Sequence, residues 1–355
     1  MAAFTSIQPT DHFNTVLYTG NGSTNAITGV GFQPDLTWVC TRSNTGNKSL
    51  VQSPISITRV AYSNIPNTPG TDADAITSFD ADGFTLGSSS GTNANTYTFL
   101  AFNWKGGTTS GITTDGSTTI TPSAYSFNQA AGFSVFTYTG NGSAAKLAHG
   151  LGKTPEYIWI KNLGTANDWS NYHQKIDATT PEDWFICINN DFARIDDATK
   201  WNDIQPDSVN ISLGTAANVN TNTNLYIGYA FAPITGYSQF GSFDGNGNAD
   251  GPFIYTGFRP AKVNVKNVAG SYAWDQWNNK SSTSGKNPVN LYTQANDQSQ
   301  EYSGADGTKA VDLLSNGFKM RATNAEVNNS GSRIIYSAWA EFPFVSSNSI
   351  PGTAR

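Results

Sequence analysis

One short string, written three times at long spacing, constrains what this chain can fold into more than any other feature. LYTGNGSTNA at residues 17–26 returns almost letter for letter as FTYTGNGS at 136–143, and in shape as SFDGNGN at 242–248. The turn asparagines are Asn21, Asn141 and Asn246, so the copies lie 120 and 105 residues apart. That period is too long for a solenoid and suits a whole domain. Two more landmarks keep the same register. Pro34, Pro155 and Pro260 follow the turn asparagines by 13, 14 and 14 residues. Each opens a stretch of alternating apolar and polar residues, the signature of a strand that begins where a missing N–H is tolerated. Each unit then closes on a pair of strand-like runs: 82–87 with 97–104, 208–214 with 225–231, and 316–321 with 334–339. Asparagine-rich turns (Asn93 and Asn95; Asn220, Asn222 and Asn224; Asn328 and Asn329) join them, so each pair reads as a hairpin.

The boundaries that follow are an N-terminal segment 1–12, a first unit 13–105, a Gly/Ser/Thr-rich linker 106–131, a second unit 132–232, a third unit 233–344 and a C-terminal tail 345–355. The short joint at 232–236 predicts tighter packing between the second and third units than between the first and second. No stretch of ten residues keeps a helical period, although 191–201 can supply a turn or two. The expected class is all-β: three tandem antiparallel β-sandwich domains of the jelly-roll, concanavalin or laminin-G kind. In that frame Gly-Asn-Gly reverses the chain between two early strands, with glycine supplying positive φ. A phosphate loop would need a helix after it, and none follows.

Composition narrows the function. Charged residues are 13% of the chain, against roughly a quarter in an average soluble protein, and the formal net charge is −6. No basic stripe is present to neutralise phosphates, so nucleic acid is not an expected partner, and no apolar run is long enough to span a bilayer. Residues 1–10 lack the charged and apolar regions of a secretion signal. Cys40 and Cys187 sit in apolar runs at unlike places in their units, which reads as two buried thiols folded in a reducing compartment.

Few residues offer chemistry. The five glutamates, Glu156, Glu182, Glu301, Glu326 and Glu341, do not recur across the units, and Asp191, Asp196 and Asp197 cluster in the second alone. His12, His149 and His173 are isolated, with no metal spacing or nucleophile beside them. No catalytic residue and no cofactor is therefore assigned. Asp244, Asn246, Asn248 and Asp250 place side-chain oxygens at alternate positions, as calcium loops do. They lack the bidentate glutamate, and they form the third copy of a turn whose other copies have no carboxylates. Trp169 and Tyr172 align with Trp274 and Trp277, eight or more residues after Lys161 and Lys266, while the first unit has Lys48-Ser-Leu50 there. Flat rings beside amides can grip a glycan. They can equally cap a core, the more usual place for large aromatics.

The chain resembles a family of virion structural proteins of tailed bacteriophages, often marine. The carrying residues are YTGNG at 18–22 with GVGFQP at 29–34, GFSVFTYTGNG at 132–142 with HGLG at 149–152, GPFIYTGFRP at 251–260 and AWAEFPF at 338–344. The resemblance implies a concanavalin- or laminin-G-like sandwich, a place on the particle and no catalysis. The expectation is a non-enzymatic virion component, tail- or fibre-associated and adhering to host-surface polysaccharide. It would be folded in the bacterial cytoplasm, contact other virion proteins and form a homo-oligomer, plausibly a trimer. The alternatives are a capsid decoration or head–tail accessory protein and, in another class, a polysaccharide depolymerase using residues such as Glu182 or Asp191.

Overall fold

The computed structural model describes residues 7–281 and 287–343. The tail 345–355 and half of the N-terminal segment lie outside the described residues. The first unit runs β1 (Phe13–Thr19), β2 (Asn25–Ile27), β3 (Leu36–Thr41), β4 (Ser49–Gln52), β5 (Arg59–Tyr62), β6 (Gly70–Thr71), β7 (Ser78–Asp80), β8 (Gly83–Leu86), the helical turn α1 (Ser90–Asn93) and β9 (Thr98–Trp104). The second runs β10 (Ala124–Asn128), β11 (Phe133–Thr139), β12 (Ala145–Ala148), β13 (Tyr157–Asn162), β14 (Ser170–His173), β15 (Trp184–Phe185), β16 (Ile195–Asp196), α2 (Ala198–Trp201), β17 (Asn210–Leu213), α3 (Ala217–Asn220) and β18 (Leu225–Phe231). The third runs β19 (Ser238–Asp244), β20 (Phe253–Tyr255), β21 (Phe258–Asn267), β22 (Asp275–Asn278), β23 (Leu291–Gln294), β24 (Tyr302–Ser303), β25 (Ala310–Leu314), β26 (Gly317–Arg321), α4 (Ala325–Asn328) and β27 (Arg333–Pro343).

The protein is all-β, and its antiparallel sheets repeat one connectivity. The large sheet of the first unit is ordered β1-β9-β3-β4-β5-β6, and that of the third β19-β27-β21-β22-β23-β24. The second keeps the core of this order as β11-β18-β13-β14 and adds β10 outside β11. Small sheets, β2-β8-β7, β12-β17 and β20-β26-β25, cover one face of each large sheet. Each unit thus has an apolar layer of its own: Ile27, Phe84 and Leu86 meet Val39, Val51 and Phe99 in the first, with counterparts in the others.

Two expectations change here. The closing pairs are not hairpins, because β8 and β9, β17 and β18, and β26 and β27 belong to different sheets. The Gly-Asn-Gly turns likewise carry the chain from the large sheet to the small one. The segment expected as a linker is built into the fold. It contains β10, it pairs Thr108 with Phe127 and Ile120 with Leu147, and it buries both Ile120 and Phe127. The helical turn expected within 191–201 is α2.

The inner faces of the three large sheets share a single core. Trp104, Phe231 and Trp339, equivalent by strand register, touch one another with ring centroids 6.1, 5.3 and 5.5 Å apart. Around them the contacts run in a cycle. Phe13 of the first unit meets Trp339 of the third at 5.9 Å, Phe133 of the second meets Trp104 of the first at 6.5 Å, and Phe240 of the third meets Phe231 of the second at 6.2 Å. The ring is therefore closed with a quasi-three-fold axis. Ile7 joins this core and the turn at Pro9–Asp11 packs on β27, so the start of the described chain seals the last junction.

Candidate functional site

The repeated turns are locked by a residue far along the chain. Asn93, at the end of α1, is fully buried, and its amide donates to Asn21 Oδ1 (3.1 Å), Ser23 O (2.6 Å) and Gly87 O (2.7 Å). Its own Oδ1 accepts the Asn21 N–H at 3.0 Å. Asn220 repeats the set with Asn141, Ser143 and Gly214, and Asn328 with Asn246, Asn248 and Ala322. One buried amide thus saturates a turn that would otherwise bury several unpaired carbonyls. The two glycines serve different ends. Gly22, Gly142 and Gly247 have φ of +69°, +74° and +67°. A Cβ at Gly20, Gly140 or Gly245 would come within 2.2–2.3 Å of a carbonyl oxygen. Sequence reading took Asn93, Asn220 and Asn328 for hairpin residues. Their recurrence 72, 79 and 82 residues after the turn asparagines was the signal available.

The candidate glycan platform is a correction. Trp169, Tyr172, Trp274 and Trp277 are all at most 2% exposed, so no ring presents a face to a sugar. Strand alternation explains where they go: Trp169 and Trp274 face the shared core, whereas Tyr172 and Trp277, of opposite parity, face their own unit's layer. Trp169 Nε1 donates to Tyr62 O of the first unit and Trp274 Nε1 to Cys187 O of the second, each at 2.9 Å. Register puts Lys48 at the matching place in the first unit, and its Nζ donates to Ser299 O of the third at 2.8 Å. All three side chains clamp the preceding unit of the ring. Lys161 and Lys266 add to this with bonds to Pro66 O (2.7 Å) and Asp191 O (2.9 Å), and burial lowers both ammonium groups to about 8.

Of the four residues offered for calcium, three already have side-chain oxygens engaged within the fold. Asn246 Oδ1 accepts from Asn248 N and from Asn328, and Asn248 Oδ1 accepts from Asp250 N. Asp250 is paired with Lys319 at 2.5 Å, and exposed Asp244 lies opposite Arg333 in the β19–β27 ladder. Among the described residues no group of three His, Cys, Asp or Glu is placed to hold a metal ion. Glu182, Asp183, Asp196 and Asp197 do gather near Asp203, whose carboxyl is raised by burial and then by their like charges. The side chain of Glu182 accepts a bond from Gln205, and Asp191 contributes its carbonyl to Lys266 and to Tyr272 N.

The histidines are structural acceptors. Nδ1 of His149 takes the Leu151 N–H and Nδ1 of His173 the Lys175 N–H, while their Nε2 atoms face Asp207 O and Tyr336 O. Burial lowers both imidazoles to about 4. Both cysteines are free and buried, as expected. Sequence reading missed Lys262. It stands in the shared core where the other units have Leu36 and Tyr157, its Nζ lying 4.1 Å from the Phe102 ring and 4.8 Å from that of Trp38. It bonds Asn264 and Gln276, and burial holds its ammonium well below the ordinary range. The lysine was visible in AKVNVKN set beside DLTWVC and EYIWIK.

Fold and side chains together define a class, an all-β protein of three internally repeated units closed on one core. Residues 8–343 match the family described as a domain of unknown function, DUF7483, and the chain belongs to that family. The match runs through all three units as one stretch. No curated protein and no solved structure is matched by this chain.

Proposed function

We propose that this chain is a non-enzymatic structural component of a tailed-phage particle, carried on its surface. In this reading each unit is a β-sandwich of the jelly-roll or concanavalin-like kind, and three make one rigid body. The observation that carries it is the use made of the polar residues singled out in the sequence. The asparagines, lysines, histidines and tryptophans named there hold the units to themselves or to each other. A body of this shape suits a capsid decoration or head–tail accessory role better than adhesion by a fibre, because the four rings offered for glycan are buried.

Two measurements test this. Antibody to the chain should label intact particles on their outer surface, and absence from purified particles overturns the proposal. Incubated with host-envelope polysaccharide, the purified chain should release no new reducing ends. Steady release that is lost in Glu182→Gln or Asp191→Asn would establish a depolymerase instead.

A further inference from the structure

We propose that Asn316 is the site at which this protein deamidates, and that the buried Asn93, Asn220 and Asn328 shield the three exposed turns from the same reaction. An asparagine followed by glycine is the pair most prone to it, because no side chain hinders the attacking amide. The glycine nitrogen attacks Cγ of the asparagine, the new C–N bond closes a five-membered imide, and ammonia leaves carrying the amide proton. Water then opens the ring at either carbonyl, which gives aspartate or its isomer with the main chain routed through Cγ. The chain has four Asn-Gly pairs, at 21–22, 141–142, 246–247 and 316–317. Asn21, Asn141 and Asn246 are exposed and Asn316 is half-buried, so exposure alone would put the reaction on the turns.

Hydrogen bonding reverses that order. At each turn the attacking group is occupied: the N–H groups of Gly22, Gly142 and Gly247 donate to the backbone oxygens of Asn93, Asn220 and Asn328 at 2.8, 2.9 and 2.8 Å. The group under attack is fixed as well. Asn21 Oδ1 accepts the Ser23 N–H at 2.9 Å and the Asn93 amide at 3.1 Å, and its Nδ2 donates to Thr24 O at 3.1 Å. Asn141 and Asn246 hold their Oδ1 atoms in the same pair of bonds, from Ser143 and Asn220 and from Asn248 and Asn328. One buried residue therefore grips the nucleophile through its carbonyl and the electrophile through its amide. Closing the imide breaks both bonds at a buried anchor, so the reaction waits on local opening of the turn. Asn316 has no such anchor. It lies with Ser315 in the two-residue connection between β25 and β26. Its backbone oxygen accepts the N–H groups of Thr256 and Gly257, but its carboxamide makes no hydrogen bond among the described residues. Gly317 is paired with Leu314 and Tyr255, so the backbone is held there too, and the side chain is what remains free to turn.

The full chain, held at mildly alkaline pH in buffer and in parallel in guanidinium chloride, provides the test, with peptide mass spectrometry reading each of the four sites. In denaturant all four should convert at comparable rates. In buffer Asn316 should convert first and stay within about ten-fold of its denatured rate, while each turn slows by about a hundred-fold. A turn that converts in buffer as fast as Asn316 overturns the shielding, and an Asn316 as slow as the turns overturns its assignment. Asn93→Ala supplies a second arm. Asn21 should then convert about ten-fold faster in buffer or more, while Asn141 and Asn246 keep their rates. An unchanged Asn21 removes Asn93 from the role. If the variant does not fold, all three turns accelerate together, and the comparison of buffer with denaturant on the unaltered chain still decides.

Discussion

At the scale of single residues, the buried asparagines carry more of this fold than their surroundings suggest. Asn93→Ala would strip the Asn21–Ser23 turn and the Gly87 carbonyl of their shared partner at a buried position. The expected loss is about 3 kcal/mol, seen as a lower denaturant midpoint, with Asn220→Ala and Asn328→Ala costing similar amounts. An unchanged midpoint would mean that water replaces the amide. The two buried histidines make stability fall with acid. Their folded values of about 4 lie below the ordinary 6.5, so between these pH values the unfolded chain takes up protons that the folded chain refuses. Stability should therefore decline as pH drops from about 6.5 to about 4, and these groups should cost nothing further below that. In His149→Gln or His173→Gln the dependence of unfolding free energy on pH should flatten by about one proton across that window. Gly22 and its equivalents were legible at this scale because positive φ leaves its mark on the residue itself. Asn93 was not, because its partners in the turn, Asn21 and Ser23, lie 72 and 70 residues away and only the fold brings them near.

Among the elements, β14 and β22 show how strand parity distributes the aromatics. Trp169 and Tyr172 are three residues apart and so point to opposite faces, one to the shared core and one to the unit's own layer. Alternation was legible in the sequence, but the identity of the layer beyond each face was not. A strand buried on both sides has the same pattern whether its second cover is its own unit or a neighbour. Trp169→Phe should keep most of the apolar contact and leave Tyr62 O without its donor. The expected cost is about 1–2 kcal/mol. A double-mutant cycle with Arg59→Ala, whose guanidinium reaches Leu163 O across the same junction, should show coupling. Additive effects would mean that the junction does not act as one contact. The closing runs were read as hairpins for a similar reason: asparagine-rich connections look alike whether they fold back within a sheet or cross to the opposite one.

For the molecule as a whole, the shared core makes the three units interdependent. Each supplies about a third of an aromatic cluster that includes Trp38, Trp104, Trp159, Phe231, Trp274 and Trp339. Cut out alone, residues 13–105 would expose that face to water, so the excised unit should aggregate or self-associate rather than behave as a folded monomer in sedimentation. The intact chain should unfold in one calorimetric transition whose van't Hoff and calorimetric enthalpies agree. Three resolved transitions would show that the units are separately stable. The unbroken family match over 8–343 suits a unit of this size.

The sequence alone determined the all-β class, the number of repeats and their register. Those properties rest on local backbone demands, a glycine at positive φ or a proline at a strand start, that must be met by the residue in place. Only the tertiary structure decided that the repeats close on one core, that the Trp169 and Trp274 rings are clamps rather than a binding surface, and that the 106–131 segment is built in. These depend on which surfaces meet after folding. An apolar face is equally apolar toward any partner, so its residues cannot record which one covers it.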